Sequence, residues 1–471
     1  MRGPMNTKKR NEAIPYFFFS LLAFIFLVEV PVFVNYGRAC FNLWDLGIYS
    51  QALGQISWSD LNPLITARGI RIFNDHFDPI LLLAAPLAHI MDAGRAALWV
   101  EFMFVMAAAG VLFALATKRE WNPTTLLLLL IVFLFGGTIS SAVSFPVHPG
   151  AWAVFPLLLL SVSLVYERPI PILASLLFLF LFKEEFPFLG IALAITFFLR
   201  RRFLLGVGIL TMSLGWLWLV FSAREAIVGP IVHYPSVLAE GWLESPIQKI
   251  SSFLFSSGRW KTNLSLLAPF VPLAVWSFRS KMKFHWGLLA LFVVHFGIRL
   301  VSQRWGYHYE CTLAALLIGA SLPLAFQQED APSRWVWAST LMLLLAVQAP
   351  FIGRYSGRTL FRGGLARCPA DPVRLLELEE LRVRLKNSEG TPVMAMGNLF
   401  PMLAYRGAFV LPMETRTLPN PPFWVALEKE PTGDPWPVGY DGIERMLNQF
   451  GKQYSAEVLL DGRFVKLVRF N

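Results

Sequence analysis

The sequence predicts an α-helical polytopic membrane protein with about 11 transmembrane helices and a small C-terminal extracytoplasmic α/β domain. Of its 471 residues, 55% are hydrophobic and 15% are charged, and the mean hydropathy is +0.54. Soluble domains carry about 25% charged residues. Apolar runs long enough to cross a bilayer recur as far as Ile352, and from Gly353 the composition becomes polar and rich in proline and glycine.

The net charge of +10 indicates membrane topology rather than a nucleic-acid partner. Lysine and arginine stand in short clusters between the apolar runs, as in cytoplasmic loops. The Lys8-Lys9-Arg10 cluster therefore places the N-terminus in the cytoplasm, and the first span, Pro15 to Val34, delivers the loop at residues 35–78 to the outer face of the inner (plasma) membrane. We expect a multi-pass membrane domain at residues 1–352 and a soluble extracytoplasmic domain at residues 353–471.

Two apolar segments do not fit a simple crossing. Residues 79–91 form a run of about thirteen, which suits a re-entrant or surface helix better than a full span. Residues 170–199 are interrupted by Lys183-Glu184-Glu185, so they form either one kinked helix or two short halves that meet at the outer face. We prefer the second arrangement because it returns the Arg200-Arg201-Arg202 cluster to the cytoplasm.

Local signals define the soluble domain. Thr391 to Met396 has the composition of a buried strand, Leu399 to Tyr405 that of a helical turn, and Gly442 to Phe450 that of an amphipathic helix. The apolar segments on either side of Asp461-Gly462 predict a closing β-hairpin, because Asp-Gly favours a two-residue hairpin turn.

Several motifs of soluble catalysis are missing from the sequence. It has no glycine-rich nucleotide-phosphate loop, no His-Glu-x-x-His and no Gly-x-Ser-x-Gly. An activated substrate would therefore arrive on a lipid rather than as a cytosolic nucleotide. The three cysteines show no metal-binding spacing, and a bridge between Cys40 and Cys368 stays an open alternative.

Ionisable residues collect on the outer side of the predicted topology. Because a charge near lipid is costly to bury, such a cluster on one face indicates a functional site, and the alternative is that the loops simply face water. The residues concerned are Asp45, Asp75, His76, Asp78, His148, Lys183, Glu184, Glu185, His233, Arg304 and His308.

Asp45 lies in an aromatic, glycine-containing run from Phe41 to Tyr49. As a general base it would need only to reach the hydroxyl of an acceptor. The alternative is that Asp45 caps the N-terminus of a helix that begins with the following residues. The sequence does not decide between the two roles.

Asp75, His76 and Asp78 offer three potential metal ligands within four residues. Carboxylates and an imidazole of this kind suit Mg²⁺ or Mn²⁺ beside a phosphate. The alternative is that a loop carboxylate followed by Pro79 only forms a turn.

Lys183-Glu184-Glu185 interrupts a run of nearly 30 apolar residues. Polar groups in such a run must pair with one another, face a cavity or bind a ligand. Arg304 and His308, with aromatic neighbours, resemble an anion site, although tryptophan and tyrosine at a helix end also mark the membrane interface. His148-Pro149 fits a turn.

Taken in order, these motifs resemble a known family. The order is Asp45-x-Gly47-x-Tyr49-x-Gln51, then His76-x-x-Pro79, then His148-Pro149, then Lys183-Glu184-Glu185. It is similar to an uncharacterised domain-of-unknown-function family of predicted bacterial and archaeal membrane proteins, which is grouped with the GT-C glycosyltransferases. The resemblance covers nearly the whole chain.

The resemblance implies a GT-C-like fold and a polyprenyl-phosphate-linked sugar donor, with an acidic residue in the first outer loop and often a divalent metal ion. Carried over, Asp45 would be that first-loop acid. We also expect catalytic roles for Lys183 and Glu184. The expected substrate-binding residues are Tyr49, Gln51, His148, Glu185, Arg304 and His308. The loop departs from the family in lacking an Asp-x-Asp or Glu-x-Asp pair, and Glu185 stands where the family commonly has aspartate.

We therefore expect an inverting membrane glycosyltransferase that acts at the cell envelope on an unidentified extracytoplasmic acceptor. Asp45 would deprotonate the acceptor hydroxyl, and Lys183, Arg304 and a metal ion held by Asp75 and His76 would stabilise the departing phosphate. Two alternatives come from other classes. One is a transporter or lipid flippase gated by Lys183-Glu184-Glu185, and the other is a non-catalytic assembly factor whose C-terminal domain binds a partner.

Overall fold

The computed structural model describes residues 7–41, 43–119, 121–145, 147–231, 245–256, 259–279, 285–302, 309–326, 333–348, 371–386, 390–413, 419–429 and 439–471. The chain divides into two compact units. The helical unit comprises Met1–Val30, His76–Pro79 and Glu101–Gly363, and the mixed unit comprises Pro31–Asp75, Ile80–Val100 and Gly364–Asn471. The predicted boundary lay near residue 352, whereas the mixed unit also includes most of the first loop.

Helices dominate the chain as far as Gln348. The first part contains α1 (Thr7–Phe24), a π-helical turn (Ile25–Glu29), α2 (Val30–Gly37), a second π-helical turn (Leu43–Gly47), α3 (Ile48–Gln55), β1 (Leu64–Ile65), β2 (Ile70–Arg71), α4 (Ile72–Asp75), α5 (Ile80–Ala88), α6 (Ala93–Arg119), α7 (Pro123–Phe135) and α8 (Gly137–Ser144). Then follow α9 (Pro149–Trp152), α10 (Val154–Val165), α11 (Pro169–Phe180), α12 (Phe186–Leu199), α13 (Phe203–Trp218), a third π-helical turn (Leu219–Ala223) and α14 (Arg224–Val228). The next helices are α15 (Pro246–Phe255), α16 (Arg259–Leu267), a 3₁₀ turn (Ala268–Phe270), α17 (Val271–Arg279), α18 (Trp286–Ser302), α19 (Cys311–Phe326) and α20 (Arg334–Gln348).

Strands and helices alternate in the C-terminal part. Its elements are α21 (Pro372–Lys386), β3 (Val393–Ala395), α22 (Phe400–Leu403), a 3₁₀ segment (Ala404–Phe409), β4 (Val410–Pro412), β5 (Phe423–Glu428), α23 (Tyr440–Gln453), β6 (Ala456–Asp461) and β7 (Val465–Phe470). They form a five-stranded sheet in the order β4-β3-β5-β7-β6. Strand β3 is parallel to both neighbours, and the pairs β5–β7 and β6–β7 are antiparallel. The predicted C-terminal α/β domain is confirmed, including its strand, its helices and its closing hairpin.

Several helices are apolar enough for a bilayer. Within the described residues, Asn11–Gly37, Ala93–Arg119 and Phe203–Val228 are long and apolar enough to cross one. A fourth candidate is the pair Pro123–Phe135 and Thr138–Ser144, which is bent by 44°. Further apolar helices have 10–17 residues, shorter than the roughly 20 of a straight span. These helices are consistent with a membrane protein, while the count of about 11 crossings stays a prediction.

Small residues bring helices of the helical unit close together. A side chain at Gly319 of α19 would meet Ser161 Oγ of α10 at 2.2 Å, and one at Gly190 of α12 would meet Ser213 Oγ of α13 at 2.1 Å. Such contacts are typical of helix pairs in membranes, where packing replaces the hydrophobic effect as the force between helices. The close pairing of α12 with α13 fixes the helix that follows the Lys183 cluster.

The mixed unit has its own hydrophobic core. Phe423, Phe450 and Phe470 form one aromatic cluster, with ring centroids 5.3–5.5 Å apart. Ala39, from the loop after the first helix, is buried in the same core as the C-terminal residues. Cys40 is disulfide-bonded, whereas its predicted candidate partner, Cys368, lies outside the described residues. The first loop and the C-terminal domain are therefore one folding unit.

A buried ion pair lies beside this core. The guanidinium of Arg374 in α21 contacts both carboxylate oxygens of Glu428 in β5, with Nη2 3.0 Å from Oε2. Arg374 Nη1 also donates to the backbone oxygen of Arg38 at 2.7 Å, and Asn398 Nδ2 donates to that of Ala39 at 3.2 Å. Both members of the pair are fully buried, and the network joins segments more than 300 residues apart in sequence.

Candidate functional site

The candidate site is centred on the interruption between α11 and α12. Residues 170–199 form two helices, so the predicted division into two halves is confirmed. α11 ends at Phe180 and α12 begins at Phe186, with Pro187 in its first turn, where proline is tolerated. The five residues between the helices include Lys183, Glu184 and Glu185, and the lysine is only 4% exposed. A lysine buried to this degree requires polar partners.

Glu184 contacts the segment that carries His76. Its Oε1 lies 2.8 Å from His76 Nδ1, and its Oε2 accepts a hydrogen bond from the Phe77 backbone N–H at 3.3 Å. Burial lowers the pKa of His76, but the Glu184 carboxylate more than reverses this effect, so the pKa is raised. Burial raises the pKa of Glu184. The charges of His76 and Lys183 together lower it by more than burial raises it, so the pKa is well below its usual range. Each side chain therefore favours the charged form of the other.

Glu185 forms a second ion pair, with Arg299 of α18. Both guanidinium Nη atoms contact the carboxylate, with Nη1 3.2 Å from Oε2. Burial raises the pKa of Glu185, but Arg299 and then Lys183 lower it below its ordinary value. One turn before Arg299, His295 lies 2.6 Å from Thr312 Oγ1. Glu185 is thus held by a cation from a distant helix.

His148 approaches Lys183 from the start of α9. Its Nδ1 accepts a hydrogen bond from the Gly150 N–H at 3.0 Å, and its own backbone N–H donates to Glu101 Oε2 at 3.1 Å. The neutral ring therefore carries its proton on Nε2. This atom lies 3.4 Å from Lys183 Nζ. Two hydrogen-bond donors, Lys183 Nζ and His148 Nε2, thus lie next to each other in the buried interior.

Tyr309 lies against both cations of the cluster. Lys183 Nζ is 5.6 Å and the Arg299 guanidinium 5.3 Å from the centre of its ring, and the His148 ring is 6.1 Å away. Cations in these positions are attracted by the electron-rich ring face. Among the described residues, no carboxylate lies within ion-pair distance of Lys183 Nζ, whereas Glu184 and Glu185 each have another partner. The arrangement places the Lys183 ammonium and the His148 imidazole side by side, without a carboxylate between them.

The His76–Glu184 pair predicts a pH-dependent stability. Because the pKa of His76 is raised, its contribution is complete below the ordinary value of 6.5 and is lost as the pH rises through the raised value. Glu184, with a lowered pKa, contributes above its ordinary value of 4.5 and loses this only as the pH falls through the lowered value. We expect His76→Gln to lower Tm by about 2 °C more near pH 6 than near pH 9, measured on purified protein. His89→Gln is the control, because His89 contacts the Ile56 carbonyl rather than a carboxylate; an equal pH dependence in both variants would contradict the prediction.

Other predicted site residues belong to the mixed unit. Asp45 is partly buried in the π-helical turn Leu43–Gly47, with φ of +53°, a left-handed conformation that is uncommon outside glycine. Strained backbone of this kind concentrates at functional sites. Gly47, the residue before α3, has helical φ and ψ, so the chain already follows a helical path two residues after Asp45. The alternative roles of Asp45, as a base or as a helix cap, both stay predictions.

Tyr49 and Gln51 are both buried. Gln51 Nε2 donates to Thr66 Oγ1 at 2.8 Å and to the Gly407 carbonyl at 2.7 Å, and its Oε1 accepts from the Thr66 N–H at 3.0 Å. These bonds make Gln51 a link between the first loop and the C-terminal residues. Its predicted role in substrate binding is not tested by this geometry.

The predicted metal ligands engage protein groups. Asp75 Oδ2 lies 3.1 Å from Arg68 Nε, His76 pairs with Glu184, and Asp78 is fully buried. Over the described part of the chain, no group of three or more histidine, cysteine, aspartate or glutamate side chains is arranged to hold a metal ion. The expected Mg²⁺ or Mn²⁺ therefore stays a prediction, and no chemical step is assigned to such an ion.

Some predicted site residues lie outside the described residues, and some residues of the site were not predicted from the sequence. Arg304, His308 and His233 lie outside the described residues. Sequence reasoning missed Glu101 and Arg299, and it named Tyr309 only as an aromatic neighbour of Arg304 and His308, whereas its ring lies beside Lys183. Glu101 and Arg299 are ionisable residues inside apolar runs, and that signal alone could have identified them.

Comparison with known families agrees with this organisation. A family model described as "Predicted membrane protein (DUF2079)" matches residues 41–455. The match contains the Asp45 loop, the Lys183 cluster and most of the C-terminal domain. No curated protein gives a significant match to the chain. Because the family model covers most of the sequence, the chain belongs to the DUF2079 family of predicted membrane proteins.

Proposed function

We propose that the protein is a GT-C-like glycosyltransferase that moves a sugar, with inversion, from a polyprenyl-phosphate carrier to an extracytoplasmic acceptor. The proposal includes about 11 membrane crossings, a cytoplasmic N-terminus and an extracytoplasmic C-terminal domain. The observation that carries it is the pair of donors formed by Lys183 Nζ and His148 Nε2, 3.4 Å apart. The resemblance of the motif order to a family grouped with the GT-C glycosyltransferases supports the same class.

The donor pair suits a phosphate. An ammonium and an N–H that face each other cannot satisfy one another, but both can donate to one anionic oxygen. In the transfer step the bond between the sugar C1 and the phosphate oxygen breaks, and the polyprenyl phosphate leaves with the electron pair. Lys183 and His148 stabilise the charge that develops on that oxygen. Arg299 is neutralised by Glu185 and instead fixes the cluster.

Asp45 is assigned the other half of the reaction. It accepts the proton of the acceptor hydroxyl while the acceptor oxygen forms its bond to C1. Its left-handed backbone and its place in the family motif support this role. The Glu184 carboxylate, which is paired with His76, attracts the Lys183 ammonium and so helps to position it.

A transporter or lipid flippase is the second candidate, and the buried charges within α6 and α18 favour it. Such charges mark polar pathways in many transporters. The two functions separate in proteoliposomes that hold a polyprenyl-phosphate-linked, radiolabelled sugar. A transferase forms a new labelled glycoside with acceptor extract and releases polyprenyl phosphate, whereas a flippase moves the intact lipid between leaflets. Movement of the lipid without any labelled product would overturn the proposal.

Asp45→Asn is expected to reduce transfer by about 10²- to 10⁴-fold, because the amide cannot take the acceptor's proton. Initial rates in the proteoliposome assay would measure this effect. Asp60→Asn is the control, since Asp60 lies in the same loop but is an exposed partner of Arg71. Unchanged transfer in a folded Asp45→Asn protein would remove Asp45 from the reaction.

A further inference from the structure

Within the described residues, a buried carboxyl in the first membrane helix has one oxygen atom without a hydrogen-bond partner. Glu29 closes the π-helical turn Ile25–Glu29, within the candidate span Asn11–Gly37, and is 4% exposed. Its Oε1 has no hydrogen-bond partner. A carboxylate buried in this way is costly unless a positive charge neutralises it. π-helical turns inside α-helices also concentrate at functional sites.

The turn that carries Glu29 lies beside a break in another helix. α7 ends at Phe135, and the chain bends by 44° before it continues as α8. The ring of Phe24, which directly precedes the π-helical turn, meets the ring of Phe135 with centroids 5.8 Å apart. Beyond this contact the turn packs against α8. Both interruptions therefore occur at the same level of the helical unit.

The two helices at the break, α7 and α8, offer oxygen atoms but no cation. α7 and α8 contain no titratable residue. α8 instead provides the buried hydroxyl groups of Thr138, Ser140 and Ser141. The end of α7 adds backbone carbonyls that have no intrahelical donor. α6 also touches α1, through Phe113 and Phe17, and its ionisable residues are Arg95, Glu101, Lys118 and Arg119.

The described contacts of these α6 residues involve groups other than Glu29. Glu101 accepts the His148 backbone N–H, Lys118 and Arg119 lie over the Tyr166 ring, and Arg95 stands near the start of the helix. On α1 itself, Lys8, Lys9, Arg10 and Glu12 lie about 25 Å or more from Glu29 along the helix axis. In the described parts of α1, α6, α7 and α8, no side chain is placed to neutralise Glu29, so the carboxyl must hold either a proton or a bound cation.

We propose that Glu29 and the oxygen atoms at the break between α7 and α8 bind a small monovalent cation, for which Na⁺ is the probe. One carboxylate balances one positive charge, and hydroxyl and carbonyl oxygens complete the coordination of a hard cation. Broken helices beside a buried acid form the ion sites of many membrane transporters. The inference does not depend on the sugar transfer proposed above.

The test compares Na⁺ with choline at equal ionic strength. The thermal midpoint of the purified full-length protein is expected to rise with Na⁺ and not with choline, since a ligand stabilises the state that binds it. Glu29→Gln is expected to weaken the apparent Na⁺ affinity by at least about tenfold. Glu12→Gln, on the same helix but exposed, should retain the full Na⁺ response.

A second measurement covers the case in which Glu29→Gln does not fold. Dicyclohexylcarbodiimide modifies carboxyl groups in apolar surroundings, and mass spectrometry locates the adduct on wild-type protein. Protection of Glu29 by Na⁺ supports the cation site. Labelling that Na⁺ does not reduce means that the carboxyl carries a proton instead, and it overturns the proposal. Equal thermal midpoints of wild type in Na⁺ and choline, or a Na⁺ response that persists in Glu29→Gln, would also overturn it.

Discussion

Lys183→Met is expected to lower the rate of sugar transfer by about 10²- to 10³-fold, the typical cost of removing one preorganised donor from a developing negative charge. Lys183 Nζ and His148 Nε2 lie 3.4 Å apart, and without the ammonium the imidazole N–H alone remains. Initial rates at saturating donor lipid measure the effect. The variant should fold, because methionine fills a similar volume without burying a charge.

The matched control is Lys118→Met. Lys118 Nζ also lies 5.6 Å from the centre of a tyrosine ring, that of Tyr166, but the side chain is exposed near the end of α6. It should keep the wild-type rate. If Lys183→Met retained more than half of the wild-type rate while folded, Lys183 would have no part in phosphate stabilisation. Lys183→Arg should recover only part of the rate, since a planar guanidinium is larger and directs its donors differently.

Arg374→Met is expected to lower the free energy of unfolding by about 3–5 kcal/mol, the usual cost of leaving one member of a buried ion pair without the other. Glu428 is fully buried, and its carboxylate would keep only Asn398 as a side-chain donor among its described contacts. The hydrogen bond from Arg374 to the Arg38 carbonyl would also be lost. Thermal or denaturant unfolding of the full-length protein measures this change.

Two further variants test whether the loss of stability comes from breaking the buried ion pair or from removing any arginine that forms an ion pair. Arg374→Met with Glu428→Leu should recover most of the lost stability, because an apolar pair of similar volume often replaces a buried ion pair without loss. Arg384→Met removes an exposed pair with Glu380, and such pairs contribute about 0.3–0.5 kcal/mol. A double variant as unstable as Arg374→Met would show that the lost hydrogen bond to Arg38 dominates.

The C-terminal domain was predictable because its signals are local. Asp461-Gly462 between two apolar segments predicted the hairpin, and the observed pairing of Val458 with Val468 confirms it. The strand at Val393–Ala395 and the amphipathic helix α23 also appeared near their predicted bounds. Turn residues and short-range periodicity are enough for such elements.

The surroundings of Lys183 were only partly predictable. The interruption at residues 183–185 follows from composition, but the partners of each charge come from far away in sequence, such as Arg299 for Glu185. The expectation that the polar groups of residues 183–185 pair with one another did not identify Arg299, which can place two N–H groups on the Glu185 carboxylate at once. The number of membrane crossings also could not be derived from local sequence signals, because many of the apolar helices are too short to define a span by themselves.

The interleaved composition of the mixed unit has a consequence for how the protein is made. The segment Pro31–Asp75 shares its core with residues that follow Gly364, so the ribosome must add nearly 300 residues before that core can close. At typical synthesis rates this delay is on the order of tens of seconds. During that time the aspartate-bearing loop is without the sheet that later covers Ala39. Only a completely translated polypeptide can assemble this part of the molecule, so premature termination yields chains that surveillance proteases can recognise.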